Sequence, residues 1–353
     1  MRLARPLGRL TGVVMIAALA GCAAAGPTSD AAGAGTVHDA ALRAARKSQR
    51  GARAHSTQVA ASASLGLVTE PAAGDEPFVT MIDAARASVQ MTMYELTDRR
   101  IESALVADAK RAVSVEVLLS DGYYGSGSDT NIAAYDFLAD HGVRVRWSPA
   151  YFALTHQKTL TVDGRESAIM SLNLTSTTDT RDFAIIDSRP GDVEAIQRTF
   201  EADFAHQRLT PPAGSGDLVW SPGAATSVLA LINGARESID LENEEMAYAP
   251  ATRALCLAAP HVDVRIVMTY SADSRRALAQ LASCGAHVHL LYGQRPLYIH
   301  AKILLVDGRV ALVGSQNLSS TSLLYNRELA IRITSPAILR SLAGTFAGDD
   351  AAR

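Results

Sequence analysis

The chain has 353 residues, 48% of them hydrophobic, with 33 basic and 36 acidic side chains. That length and apolar content suit a globular protein with a sizeable core, and exclude a disordered, collagenous or small disulfide-stapled chain. The net charge of −3 hides an asymmetry: residues 1–65 carry 8 basic and 2 acidic side chains, which leaves the rest at −9 and weighs against broad attraction to nucleic-acid phosphates.

Arg2, Arg5 and Arg9 open the chain, a short apolar stretch runs from Leu10 to Ala20, and Leu19-Ala20-Gly21-Cys22 follows. A charged start, a short apolar segment and small residues before the cut describe a secretory signal over residues 1–21. With Cys directly after Ala-Gly it resembles a bacterial lipoprotein signal. That resemblance implies cleavage before Cys22, lipidation of its thiol and new amine, and an exported chain anchored at the extracytoplasmic face of a bacterial membrane. Residues 22–66 read as an Ala/Ser/Gly-rich tether with a basic cluster at Arg43, Arg46, Lys47, Arg50 and Arg53, too poor in large apolar residues to fold alone. Outside the cytoplasm Cys256 and Cys284 have two readings, a disulfide or two buried small side chains. No apolar run reaches the roughly 18 residues of a spanning helix.

The remainder is one pattern written twice. Ala84–Val89 is echoed by Gly234–Ile239, Glu95 by Glu245 at the same offset of 150, Val115–Leu119 by Val264–Met268, and Leu138–Val143 by Leu281–Ala286. Each half reads as an amphipathic helix, an apolar strand, a helix near Arg99–Arg111 or Ala251–Ala258, a second β-rich run, another helix and a third strand (Val143–Trp147, Val288–Leu291). The expected class is α/β: two similar sandwich halves, each a mixed β-sheet flanked by helices, over residues 67–210 and 217–348. Pro211–Gly216 forms the joint. A period this long implies two domains about a pseudo-twofold axis rather than a solenoid.

Only 4 of the basic residues are Lys, and two of these fall in a repeated motif. His156-Gln-Lys158-Thr-Leu-Thr-Val-Asp163-Gly164 matches His300-Ala-Lys302-Ile-Leu-Leu-Val-Asp307-Gly308. Ser171-Leu-Asn173 and Ser315-Gln-Asn317 follow at equal spacing, then Arg181-Asp182 and Arg327-Glu328. Alternation over Thr155–Asp163 predicts a strand with His156, Lys158, Leu160 and Val162 on one face. Imidazole serves as nucleophile or proton carrier near neutral pH. Lys158 and Lys302 supply compact cations flanking an oxyanion, where a larger guanidinium would fill the cleft. Asn173 and Asn317 add neutral donors, and Ser171 and Ser315 are further candidates. Brought together, two His, two Lys and two Asn suit a phosphoryl group. Asp182 and Glu328 are placed to orient the imidazoles through Nδ1. A zinc site is not expected, since Lys is a poor ligand and no cluster has metal spacing.

This arrangement resembles the phospholipase D superfamily over essentially all of residues 67–348. The resemblance implies a metal-independent phosphodiesterase without a cofactor, working through a phosphohistidine intermediate within an internal pseudodimer that needs no second copy. It further implies His156 as nucleophile, His300 as acid, and a supporting role for Asp163 and Asp307. Met170 departs from its counterpart Gly314, which predicts a tighter or less open first loop.

Other features have plainer readings. His141, His206, His261, His287 and His289 lack motif partners and read as surface or satisfied core side chains. Glu242, Glu244 and Glu245 read as a capping or rim cluster at a strand end, the Glu95/Glu245 pair supporting the site from behind. Tyr123–Ser128 reads as a flexible loop or a lipid-contacting lip. The leading functional expectation is a lipid phosphodiesterase at the membrane, leaving phosphatidic acid and freeing the headgroup alcohol. The competitors are an exported endonuclease, a headgroup transferase, and a catalytically idle lipid-binding scaffold.

Overall fold

The computed structural model describes residues 64–122, 129–176, 179–209, 216–293 and 297–352. The signal segment with Cys22, almost all of the tether, Tyr123–Ser128 and Pro211–Ser215 lie outside the described residues.

The first half contains β1 (Leu65–Thr69), β2 (Ser88–Met93), β3 (Ser114–Leu119), β4 (Arg144–Trp147), β5 (Thr159–Val162), β6 (Glu166–Met170), β7 (Thr180–Arg181) and β8 (Phe183–Asp187). The second contains β9 (Leu218–Ser221), β10 (Ser238–Glu242), β11 (Asp263–Thr269), β12 (His287–Leu291), β13 (Tyr298–Ile299), β14 (Ile303–Val306), β15 (Val310–Gly314) and β16 (Glu328–Ile333). The main sheets run β1-β8-β6-β5-β2-β3-β4 and β9-β16-β15-β14-β10-β11-β12, the same order strand for strand. In each, the β2–β3–β4 or β10–β11–β12 edge is parallel and the remainder antiparallel. The sheets are therefore mixed, and the duplication read from sequence is a duplication of topology.

In one helix the 3.6-residue pattern and the capping signal agree. The helix Arg99–Lys110 starts at Asp98, whose carboxylate accepts from the Arg100 and Ile101 N–H groups, and it buries Ile101, Ala104 and Leu105. Such a cap contributes about 1 kcal/mol. Together with the helices Glu76–Asp83 and Asp129–Asp140 it covers the outer face of the first sheet. Ala224–Gly234, Ala249–Ala258 and Arg275–Ser283 cover the second.

The inner faces share one apolar layer. Phe183 and Ile185 from β8 and Ile169 from β6 join Val313 from β15 and Leu329 and Ile331 from β16, with residues of the helices Pro190–Phe204 and Pro336–Asp350 around them. Period-two alternation sorts the strands: Phe183 and Ile185 point into this layer, and Ala184 between them into the outer core. Both halves lie in one compact unit.

Met170 differs from the expectation. It is buried in the outer core of the first half rather than shaping a loop. Gly314 is required by close approach, since a Cβ there would stand 2.3 Å from the Leu329 carbonyl oxygen and 2.4 Å from Ala330 Cα. Cys256, in the helix Ala249–Ala258, and Cys284, just after the helix Arg275–Ser283, form a disulfide. Among the described residues no helix is long and apolar enough to cross a membrane.

Candidate active site

The Asp-Gly pair closing each motif builds a hairpin turn. Asp163 and Gly164 have φ of 52° and 60°, Asp307 and Gly308 54° and 60°, and the Arg165 and Arg309 N–H groups close the turns onto Val162 and Val306. Two successive positive φ values define the type I′ turn that matches strand twist. The Asp163 carboxylate then accepts from the backbone N–H groups of Arg86, Ala87 and Ser88, and Asp307 from those of Arg236, Glu237 and Ser238. These three donors hold each carboxyl group below its usual range against the opposing effect of burial. Neither Asp lines the cleft.

The expected strand over Thr155–Asp163 is shorter. β5 begins at Thr159 and β14 at Ile303, so His156 and Lys158, like His300 and Lys302, lie in the segments leading into them. The opposite half fixes these segments. The His156 N–H donates to the Arg327 carbonyl at 2.9 Å, and the His300 N–H to the Arg181 carbonyl at 3.2 Å. Thr155 bridges Arg327, and β13 pairs with β7 through Ile299 and Arg181, in the same parallel sense. The arginines themselves cross over: Arg327 ion-pairs with Asp203 at 2.7 Å, fully buried, and Arg181 with Asp349.

Because each carboxylate follows one of these arginines, the orienting pairs also cross. His156 Nδ1 lies 2.9 Å from Glu328 Oε2, and His300 Nδ1 lies 2.9 Å from Asp182 Oδ1. The Ser315 carbonyl is a second acceptor at His156 Nδ1, 3.2 Å away. Two acceptors assign the ring proton to Nδ1 and leave Nε2 with its lone pair. Ser171 and Thr180 hydroxyls hold Asp182, and the Asn326 amide holds Glu328. Burial alone would raise Asp182 and Glu328, but His300 and His156 respectively outweigh it and keep both below the usual carboxylate range. Burial, then the charge of Lys158, lowers His156 to about 4 against the pull of Glu328.

Lys158 and Lys302 are buried beneath the floor rather than flanking the open cleft. Lys158 Nζ donates to the His156 carbonyl at 2.7 Å and lies 4.7 Å from the Tyr94 ring centre. Lys302 Nζ donates to the His300 carbonyl and to Glu244 Oε2, the latter at 3.0 Å. Burial and then Lys302 bring Lys158 down to about 7.

Asn173 and Asn317 line the cleft, their amides donating to Glu95 at 3.0 Å and Glu245 at 3.1 Å. The matched glutamates thus support the asparagines. Ser171 and Ser315 do not line the cleft. Both are fully buried and tie neighbouring backbone, Ser171 to Phe183 and Ser315 to Leu329.

The rim reading of Glu244 is also corrected. It lines the cleft, 3.0 Å from Lys302 Nζ and 3.5 Å from His300 Nε2. Burial would raise its carboxyl, but Lys302 and His300 hold it well below the usual range. The signal that could have found it is the 150-residue offset, which puts Glu244 opposite Tyr94. Glu242 is wholly buried in β10, where desolvation and the Asp349 charge push its carboxyl well up.

His156, His300, Asn173 and Asn317 converge on one cleft of about 610 Å³ between the halves. Among the described residues the remaining histidines stay outside it: His206 meets the Trp147 carbonyl, and His287 and His289 lie near Asp350. Among the described residues no group of His, Cys, Asp and Glu could hold a metal ion.

A family model described as cardiolipin synthase, PLD-like domain, matches residues 78–204 and 228–349, one stretch in each half. The chain belongs to the phospholipase D superfamily. No curated protein matches it. Solved structures with TM-scores above 0.6 share the fold of this phospholipase D-like chain. Phosphatidylserine synthase of Haemophilus influenzae Rd KW20 is 12% identical at a TM-score of 0.63, over 86% of this chain and 90% of that one. Polyphosphate kinase of Porphyromonas gingivalis is 15% identical at a TM-score of 0.61, over 81% of this chain, which spans 50% of the kinase's length. Nuc of Salmonella typhimurium, a phospholipase D family member, is 27% identical over 41% of this chain and 96% of its own, at a TM-score of 0.37. Members of the superfamily act on phosphodiester bonds, and the crossed histidine–carboxylate pairs place this chain's phospholipase D motifs around a single cleft.

Proposed function

We propose that the protein is a phospholipase D-type hydrolase, cleaving a glycerophospholipid to phosphatidic acid and the headgroup alcohol through a phosphohistidine. The observation that carries this reading is the pair of crossed imidazole–carboxylate contacts at one cleft, 2.9 Å each. His156 Nε2, with its lone pair free, forms the bond to phosphorus as the bond to the leaving oxygen breaks. His300 delivers a proton to that oxygen. Asn173 and Asn317 donate to the phosphoryl oxygens, and the buried Lys158 and Lys302 supply positive potential from below. No cofactor is needed for this sequence of steps.

A lipid substrate is favoured over nucleic acid by charge. The globular part carries −9, and Glu95, Glu244 and Glu245 line the cleft. A polyanionic strand loses affinity on such a surface, whereas a single diester needs only the local site. The Cys22 signal and basic tether support export and lipid anchoring at a bacterial membrane, with substrate in the same bilayer. Assay of the tether-free protein on vesicles of several phospholipids and on single-stranded DNA, with His156→Ala as control, tests the proposal. Headgroup release lost in the control is expected. DNA cleavage without headgroup release points to the endonuclease, headgroup exchange without net hydrolysis to the transferase, and activities untouched by His156→Ala and His300→Ala to the scaffold.

A further inference from the structure

The two half-sites depart from one another at a position that touches both imidazole and ammonium. Tyr94 and Glu244 are equivalent, beside the matched Glu95 and Glu245. In the first half the Tyr94 ring meets His156 edge-on, centres 4.6 Å apart, and Lys158 Nζ lies 4.7 Å from it. In the second half a carboxylate fills this place. Glu244 Oε2 stands 3.0 Å from Lys302 Nζ and 3.5 Å from His300 Nε2, and its Oε1 accepts from the Tyr298 hydroxyl at 3.3 Å.

His300 therefore has a carboxylate at each ring nitrogen, Asp182 at Nδ1 and Glu244 at Nε2. His156 has one, Glu328, and meets an aromatic edge and the Lys158 charge instead. The charged or titratable groups facing the Glu244–His300 contact are Lys302 from the lead-in to β14, Tyr298 from β13, Asp182 beside β7, the adjacent Glu245, and His156 and Lys158 across the cleft. An anion in a part-buried site favours the cationic form of its neighbour. At 3.5 Å the contact is longer than a hydrogen bond, so the Nε2 proton is not committed to Glu244.

We propose that Glu244 is the positioning residue that makes the two histidines unequal, holding the proton at His300 Nε2 so that His300 acts as acid and His156 as nucleophile. This rests on the phosphodiesterase reading above. In the first step the His156 Nε2 lone pair forms the N–P bond, the P–O bond to the leaving alcohol breaks, and the His300 proton passes to the departing oxygen. In the second, water oxygen forms the new P–O bond, the N–P bond breaks, and the water's proton returns to His300 Nε2. Glu244 itself gains and loses no proton.

The test compares wild type, Glu244→Gln and Glu244→Asp on two diesters, one releasing an aliphatic alcohol and one releasing p-nitrophenolate, which departs without protonation. Glu244→Gln is expected to slow the aliphatic substrate by about 10²-fold and the p-nitrophenyl one by less than about tenfold. Glu244→Asp, which keeps the charge, should recover most of the loss. Equal losses on both substrates, or no recovery in Glu244→Asp, overturn the proposal and leave Glu244 as an anchor for Lys302. Wild type inactive on both diesters overturns the phosphodiesterase reading itself, and this inference with it.

Discussion

His156 and Glu328 belong to different halves of the chain, yet the imidazole Nδ1 and the carboxylate lie 2.9 Å apart in a fully buried contact. His300 and Asp182 repeat the arrangement in reverse. Neither half therefore supplies both members of an Nδ1 imidazole–carboxylate pair, and the shared apolar layer between the sheets is what assembles the site. The two carboxylates serve histidines with different proposed tasks, so their loss should be distinguishable. Glu328→Gln, acting on the nucleophile, is expected to lower kcat by about 10²-fold or more on any diester. Asp182→Asn, acting on the acid, should cost that much only where the leaving alcohol needs a proton. Parallel kinetics on aliphatic and p-nitrophenyl diesters measure the difference, and identical patterns for both variants contradict the assignment.

The pH profile follows from two buried groups. Burial, then Lys158, lowers His156 from 6.5 to about 4, so its nucleophilic neutral form persists far into acid. Burial, then Lys302, lowers Lys158 to about 7, so its charge is lost as pH rises through that value. The kcat/KM of the free enzyme should rise through about pH 4, hold level, and decline above about 7. Lys302→Met removes one cause of the Lys158 shift and should move the alkaline limb upward, whatever it does to the maximum. An acid limb near 6.5 would show a solvent-accessible His156 and contradict the buried geometry.

The buried Arg327–Asp203 pair makes a stability prediction. Both residues are almost wholly inaccessible, and the guanidinium lies 4.2 Å from the centre of the Phe152 ring. Arg327→Met leaves Asp203 as an uncompensated buried charge and should destabilise by about 3–5 kcal/mol, whereas Arg327→Met with Asp203→Leu should recover most of that. Urea unfolding of the three proteins reads this directly. A double variant no better than the single one would show that the arginine acts through its packing alone.

Much of this was legible in the sequence because duplication makes accidents visible. The repeated motif, with its trailing Asn and acidic residue, named the histidines and asparagines that meet in the cleft and the carboxylates that hold those histidines, and strand-helix alternation gave the two mixed sheets. Three things were not legible. Whether Asp182 serves His156 or His300 depends on which half supplies the neighbouring backbone, and that is settled by the Thr155–Arg327 and Ile299–Arg181 pairings, contacts between segments over a hundred residues apart. Lys158 and Lys302 read as cleft cations but lie under the floor, where each flexible stem turns its ammonium back to the carbonyl two residues before it. Glu244 was hidden among three glutamates of similar local context; only its pairing with Tyr94 across the repeat separates it from Glu242 and Glu245.

The motif aspartates provide a separate test of what the repeat conserves between its halves. Asp307 accepts from three consecutive backbone N–H groups at 2.7 to 3.1 Å, at a hairpin turn away from the cleft. Asp307→Ala leaves those donors without their acceptor and should cost about 1–3 kcal/mol of stability. Asp163→Ala should do the same in the first half, where Arg86, Ala87 and Ser88 lose their shared acceptor. Neither change touches the imidazoles, so kcat/KM per folded molecule should stay within about threefold, an effect under 1 kcal/mol at the barrier. Thermal melts and active-site-normalised kinetics on the same samples separate the two effects. A variant that melts like wild type but loses turnover would move the aspartate from the scaffold into the chemistry.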